Sequence, residues 1–271
     1  MSSEVQVFEI ARKCMDHAVS MCREFSRKPV GRIRKGDKTW VTDADLQIEK
    51  ELRSIIGAAF PAHEIVGEEQ GGSLSAHVDG NADQWSWILD PIDGTFSFVH
   101  GVPFYSSLLA VLRNGEPHIG FAALPELGIV MSAERGRGVW INGEAYQRPE
   151  RLGQDAIELV ATADPYRFRM ENVAHLVDEF YTREIKARTY PDALGYYMLL
   201  RGSVRAFVDP KVEIWDVAPF HVILPEAGFT IHSWSRNHQT RCLERGSSVA
   251  YALDAAGNPV AADDVLKLLR N

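Results

Sequence analysis

Two carboxylates stand three residues apart in Asp90-Pro91-Ile92-Asp93-Gly94-Thr95, directly after the apolar run Trp85 to Leu89. On a turn, side chains at that spacing converge on one point. Gly94 then lets the backbone approach a ligand closely, and Thr95 offers a hydroxyl and an N–H at a helix start. Asp-Pro and Asp-Gly are also ordinary turn dipeptides, and Asp93 would serve equally as a helix cap. Three further acidic features bear on that choice. Glu68 and Glu69 follow Ile65-Val66-Gly67, as though a strand ended in a carboxylate pair. Thr42 and Asp45 open a second helix with the spacing of a capping box. Asp216, after Trp215, opens a later helix and reads as its N-cap.

Brought together, these acids would repel one another and raise their own pKa values. Two like charges about 4 Å apart cost about 4 kcal/mol at an effective dielectric near 20. A hard divalent cation removes that penalty and turns a phosphate-repelling pocket into a phosphate-binding one. Oxygen donors at element ends suit Mg2+, with Mn2+ as a substitute. The nine histidines are dispersed and Cys14, Cys22 and Cys242 form no CxxC, so zinc is not expected.

Gly67-Glu68-Glu69, then Trp87-Ile88-Leu89-Asp90-Pro91-Ile92-Asp93-Gly94-Thr95, then Trp215-Asp216-Val217-Ala218 with Glu226-Ala227-Gly228, resemble the inositol monophosphatase superfamily over nearly the whole chain. That resemblance implies a layered α+β and α/β fold, an αβαβα sandwich, usually dimeric, with two to three Mg2+ ions per site. Glu68, Asp90 and the Ile92 carbonyl would hold the first ion, and Asp90, Asp93 and Asp216 the second. Asp45 would hold a third through water. Thr95, assisted by Glu68 or Asp45, would orient the attacking water while the Gly94 and Thr95 N–H groups grip phosphate. The implied chemistry is in-line displacement by a metal-activated water, without a phosphoenzyme. The Asp-x-x-Asp spacing differs from the Asp-x-Asp of haloacid-dehalogenase-like phosphatases, and no GxxxxGK[ST] occurs.

Lys35-Gly-Asp37-Lys-Thr39-Trp-Val41-Thr42-Asp43-Ala44-Asp45 resembles the histidinol-phosphatase branch, although Trp40 stands where proline is usual. Asp192-Ala-Leu-Gly195-Tyr196 and Ala161 to Pro165 point the same way. Asp192 and Asp209, with Asp93 and Asp216, would face a substrate carrying an ammonium and an imidazole; alternatively Asp192 is a helix N-cap. The favoured small-molecule ester is L-histidinol phosphate. Inositol-1-phosphate or a broad sugar and nucleotide phosphate range is the alternative, and a regulatory binding partner of the transcription machinery is a reading of another class.

The elements that must position these groups fall into two halves, 1–148 and 149–271, with a soft boundary. The first is expected to be α+β. Its stripe of Phe8, Ala11, Met15, Ala18, Cys22 and Phe25 marks a helix, 29–39 reads as a polar loop, and Asn114-Gly115 joins two strands. The second reads as α/β, with helices near 171–181, 192–201 and 216–227, and a last one from 262. The Arg135-Gly136-Arg137-Gly138 run reads as a β-turn rather than a phosphate grip, and Phe96, Phe98, Phe104 and Tyr105 as mostly core. With 271 residues, 45% apolar and a net charge of −8, the chain is globular and unsuited to nucleic acid. It shows no membrane span, and its acidic N-terminus does not read as a signal peptide, so a cytoplasmic protein is expected, and the resemblance implies a homodimer.

Overall fold

The computed structural model describes residues 4–28, 31–34, 40–75, 83–149, 159–182, 185–234 and 246–252. Apolar residues recurring every three or four positions make α1 (Glu4–Phe25), which buries Val7, Ala11, Cys14, Met15, Ala18 and Cys22. β1 (Arg32–Arg34) pairs antiparallel with β2 (Trp40–Thr42), so part of the expected loop is strand. A backbone ladder satisfies N–H and C=O groups whatever the side-chain charge, which is why composition concealed it. α2 (Asp43–Ala59) follows at once, with Thr42 as N-cap and Asp45 completing the reciprocal capping box.

The first sheet begins with β3 (Glu64–Gly67) parallel to β4 (Trp85–Asp93). After the short α3 (Thr95–Val99) it continues antiparallel through β5 (Ser106–Arg113), β6 (Glu116–Leu124), β7 (Ile129–Glu134), β8 (Gly138–Ile141) and β9 (Glu144–Ala145), in chain order. Asn114 and Gly115, at φ 54° and 78°, close the β5–β6 hairpin as their types predict. β4 does not stop with the apolar run at Leu89. It runs on to Asp93, with its register against β5 broken between Asp90 and Asp93. Pro91, which has no N–H to give a ladder, sits inside that break.

The described elements that follow are β10 (Leu159–Thr162), α4 (Pro165–Met170), α5 (His175–Thr182), β11 (Lys186–Thr189), α6 (Asp192–Leu200), β12 (Ala206–Val212), α7 (Ile214–Val217), α8 (Phe220–Glu226), β13 (Phe229–Trp234) and β14 (Gly246–Ala252), and their strands form a second sheet. Strand order is β11-β10-β12-β14-β13, parallel over the first three and antiparallel beyond. The helix expected near 171–181 is α5, which starts later because Asn172 turns left-handed at φ 54°, and a separate α4 precedes it where Asp164 caps a start at Pro165. The 216–227 helix is split because Pro219 has no N–H to continue α7. The helix expected from 262 lies outside the described residues.

α1 and α2 cover one face of the first sheet, α6 and α8 lie between the sheets, and α4 and α5 cover the far face of the second. The middle layer approaches closely only because two contact positions are glycine. A β-carbon on Gly120 of β6 would stand 2.4 Å from the Pro219 carbonyl oxygen, and one on Gly195 of α6 would stand 2.3 Å from the Phe207 ring.

Candidate metal centre

Residues three apart on a regular strand point to opposite faces. The register break in β4 cancels that alternation, so Asp90 and Asp93 meet on one side. Asp216 reaches them from α7, and one carboxylate oxygen from each of the three lies within 4.8 Å of the others. Asp216 is not the N-cap of its helix; Glu213 is, and Asp216 accepts the Glu213 N–H at 2.8 Å from the third helical position. Asp93 Oδ2 accepts the Ser106 hydroxyl at 2.5 Å. Asp45 Oδ2 accepts the Thr42 N–H at 2.8 Å and its hydroxyl at 2.5 Å.

What remains is unsatisfied. Asp90 is 1% exposed, yet neither of its carboxylate oxygens has a hydrogen-bond partner among the described residues, and Asp45 Oδ1 is buried in the same condition. Burial first, then the charges of Glu68, Asp93 and Asp216, push the Asp90 carboxyl well above its ordinary range. Burial and then Asp192 and Asp216 do the same to Asp93. Burial lifts Asp216 to about 8, and lifts Asp45 to about 6 despite its bonds from Thr42. Orphaned oxygens on crowded, buried carboxylates fit a hard divalent ion. Glu4, His118 and Glu134 also gather, but Arg113 stands 3.8 Å from Glu4 and Arg137 3.5 Å from Glu134, so that group is already charge-balanced.

Glu68 is brought alongside by the sheet, its N–H donating to the Leu89 carbonyl at 3.1 Å. Its charge is felt by Asp90, Asp45 and Asp216. Gly94, at φ 80°, makes the turn out of β4, and the Thr95 hydroxyl donates to the Ile92 carbonyl at 3.2 Å. Asp192 opens α6 after Pro191, which holds the N-cap position. Asp192 itself adopts a left-handed φ of 56°, and its Oδ2 lies 2.8 Å from where a β-carbon on Gly94 would be. Arg167 joins this wall, donating to Asp209 Oδ2 at 2.7 Å and standing 3.3 Å from Asp192 Oδ1.

The whole chain from residue 4 to 270 matches the model of the inositol monophosphatase family. This chain belongs to that family. It is similar to the histidinol-phosphatase of Mycobacterium tuberculosis, 34% identical over 203 residues that cover 72% of this chain and 74% of the other. The Nus factor SuhB of Pseudomonas aeruginosa is 30% identical over 237 residues, 84% of each chain. The structure of the Thermotoga maritima inositol monophosphatase superposes with a TM-score of 0.78 at 25% identity, covering 99% of this chain and 97% of that one.

As a member of the inositol monophosphatase family the protein is a phosphatase, a phosphoric monoester hydrolase acting on small phosphate esters, and its layers are those of the inositol monophosphatase fold. Asp45, Glu68, Asp90, Ile92, Asp93, Gly94, Thr95 and Asp216, all predicted from sequence, gather around the end of β4. Asp192 and Asp209 adjoin them through Arg167. Arg167, Ser106 and Glu49, which organise the site, escaped the sequence reading; only the Asp164-Pro165 helix start carried a signal, because it places Arg167 one turn into α4. The Arg135 to Gly138 turn does bind an anion, an internal one: Glu226 accepts the Gly136 and Gly138 N–H groups at 2.9 Å each. Phe98 and Tyr105 are core, whereas Phe96 and Phe104 are exposed. Lys35, Lys38 and Cys242 lie outside the described residues. Among those described, no helix is long and apolar enough to cross a membrane.

Proposed function

We propose that this family member is a Mg2+-dependent phosphomonoesterase whose favoured substrate is L-histidinol phosphate. The observation that carries the metal is Asp90: a buried carboxylate whose two oxygens have no hydrogen-bond partner among the described residues, with the charges of four other acids acting on it. Asp90 and Glu68, with the Ile92 carbonyl, would hold one ion; Asp90, Asp93 and Asp216 a second; Asp45 a third through water. Mn2+ would fit the same oxygen donors. When bound, the ions neutralise the phosphate, acidify an attacking water and stabilise the leaving alkoxide.

The chain's own groups do the orienting. Because the Thr95 hydroxyl gives its proton to the Ile92 carbonyl, its lone pairs are left to accept a hydrogen from the attacking water. Glu68 or Asp45 takes the water's other proton as it attacks, the hydrogen facing Thr95 stays on the new phosphate oxygen, and the proton taken up balances the one the alkoxide gains to leave as the alcohol. The Gly94 and Thr95 N–H groups donate to the phosphate oxygens. No covalent phosphoenzyme forms in this scheme, since no side-chain nucleophile is required.

Support for the substrate comes from the carboxylates beside the phosphate grip. Asp192 and Asp209, with Asp93 and Asp216, suit an alcohol bearing an ammonium and an imidazole, where inositol offers only hydroxyls. The 34% identical relative named a histidinol-phosphatase leans the same way. Inositol-1-phosphate or a broader range is the second reading. A non-catalytic regulatory role, kept in view by a 30% identical relative named Nus factor SuhB, is disfavoured by the intact acidic set. The proposal includes a cytoplasmic homodimer without a nucleic-acid partner, in keeping with the net charge of −8.

The test is phosphate release in Mg2+ from L-histidinol phosphate, inositol-1-phosphate, fructose-1,6-bisphosphate and adenosine 3′,5′-bisphosphate. A kcat/KM for histidinol phosphate about tenfold above the rest, about 1.4 kcal/mol of transition-state preference, supports the assignment. Preference for inositol phosphate would keep the metal chemistry and discard the substrate. Silence on all four shifts weight to a binding role.

A further inference from the structure

Arg167 reaches from α4 between two carboxylates that arrive on different elements, and it treats them unequally. Asp209 on β12 is fully engaged: Oδ2 accepts from Arg167 at 2.7 Å and Oδ1 accepts the Lys211 N–H at 3.0 Å. Asp192 gives Arg167 only Oδ1, at 3.3 Å. Its Oδ2 is turned toward Gly94, so close that a β-carbon there would stand 2.8 Å away. The left-handed backbone of Asp192 persists only where surrounding contacts hold it, and Arg167 is one such contact. Three charges thus leave one net negative, carried by an oxygen beside the proposed phosphate grip.

We infer that Arg167 determines specificity by consuming Asp209 and presenting a single oxygen of Asp192 to one cationic group of the leaving alcohol. Asp192 is then the contact residue, and Asp209 is a positioning residue that acts through Arg167. The substrate class is a phosphate monoester whose alcohol carries one ammonium, taken in preference to a neutral polyol of equal size. This rests on the phosphatase reading above and assigns the two acids different roles within it.

The experiment uses the full chain in Mg2+ with two esters that differ only in the charged group, 2-aminoethyl phosphate and 2-hydroxyethyl phosphate, and with p-nitrophenyl phosphate as an uncharged-alcohol control. The readout is the ratio of KM for the hydroxy ester to KM for the amino ester. The wild type is expected to give a ratio of about ten or more, falling toward one in Asp192→Asn. Arg167→Gln and Asp209→Asn should lower the ratio by the same factor, and Asp209→Asn added to Arg167→Gln should lower it no further. Should Arg167→Gln fail to fold, Arg167→Lys carries the same test, since lysine cannot bridge both acids and must reduce the ratio. A wild-type ratio near one with p-nitrophenyl phosphate turned over would overturn the inference and leave the phosphatase standing. A further drop on adding Asp209→Asn would overturn it too, by showing that Asp209 meets the ligand directly. No turnover of any ester would overturn both.

Discussion

Glu49 on α2 accepts the backbone N–H of Glu69 at 2.8 Å, one residue after Glu68, and the N–H of Gln70 at 3.2 Å. Its carboxylate is fully buried and is paired with Arg53, whose Nε lies 2.8 Å from Oε1. Arg53 also donates to the carbonyls of Ile65 and Gly71 at 3.2 and 2.5 Å. Gly67 has to be glycine for this, because a β-carbon would stand 2.3 Å from Glu49 Oε1. The loop that carries Glu68 is therefore held by charge-assisted bonds to α2, which also carries Asp45.

That clamp can be loosened without removing its bulk. Glu49→Gln keeps the shape but takes the charge from the loop's N–H groups and leaves Arg53 uncompensated. Mg2+ affinity, titrated calorimetrically, should weaken by about 10- to 100-fold, as for other residues that orient metal ligands. Affinity equal to the wild type would mean that Glu68 needs no such support.

Asp93→Asn should move activity and stability in opposite directions. Losing a ligand charge should cut Mg2+-dependent turnover of p-nitrophenyl phosphate by at least about a hundredfold. In EDTA the same change removes a buried charge that Asp192 and Asp216 repel, so the melting temperature should rise by a few degrees, about the shift that 1 kcal/mol gives a chain of this size. Unchanged activity would sink the ligand assignment, and a lower melting temperature would sink the account of repulsion.

Metal binding should also depend on pH in a definite sense. Folding raises Asp45 to about 6 and Asp216 to about 8, against ordinary carboxylates near 4. Groups raised in the folded state give stability that is fully present below their unfolded pKa and lost as pH climbs through the folded values. Without divalent ion, this contribution declines between about pH 4 and 8. On the proposed reading Mg2+ would bind the ionised form and cancel the decline. The rise in melting temperature from EDTA to Mg2+ should therefore be small near pH 5 and grow toward pH 8. Carboxylates elsewhere, such as Glu51 and Glu126, titrate alike in both conditions and drop out of the difference. An increment that stays flat or shrinks with rising pH would contradict the coupling.

The acids proposed to hold metal stand out in the sequence because each carries a local mark. Asp90 and Asp93 three residues apart, Glu68 after a strand and Asp45 in a capping box are each short-range features. Their supports are not. Ser106 lies 13 residues from Asp93, Glu49 lies 20 from Glu69, and Arg167 lies 42 from Asp209. Nothing near an Arg or Ser in sequence says which distant carboxylate it will meet. The division of α7 from α8 shows the same limit at the level of elements: Asp216 looked like an N-cap because the real one, Glu213, is a residue type seldom used there.

Gly120 tests whether the middle layer itself sets the metal site. It lies on β6 under the Pro219 junction between α7, which carries Asp216, and α8. Its φ is an ordinary one, so alanine brings no backbone strain, and the conflict is steric alone. The new methyl would meet the Pro219 carbonyl oxygen at 2.4 Å and its Cα at 3.1 Å, backbone atoms that cannot rotate aside. Gly120→Ala must then lift the α7–α8 junction off the sheet, at about 1–3 kcal/mol by analogy with overpacked cores. Gly136→Ala is the control: nothing lies within 4 Å of its β-carbon, and only its φ of 77° resists. Denaturant unfolding should show the larger loss at Gly120, and Mg2+ titration should show weaker binding there alone, because only that change displaces Asp216. If Gly120→Ala loses stability but keeps Mg2+ affinity, α7 is held from the β4 side, and the middle layer carries the fold without tuning the site.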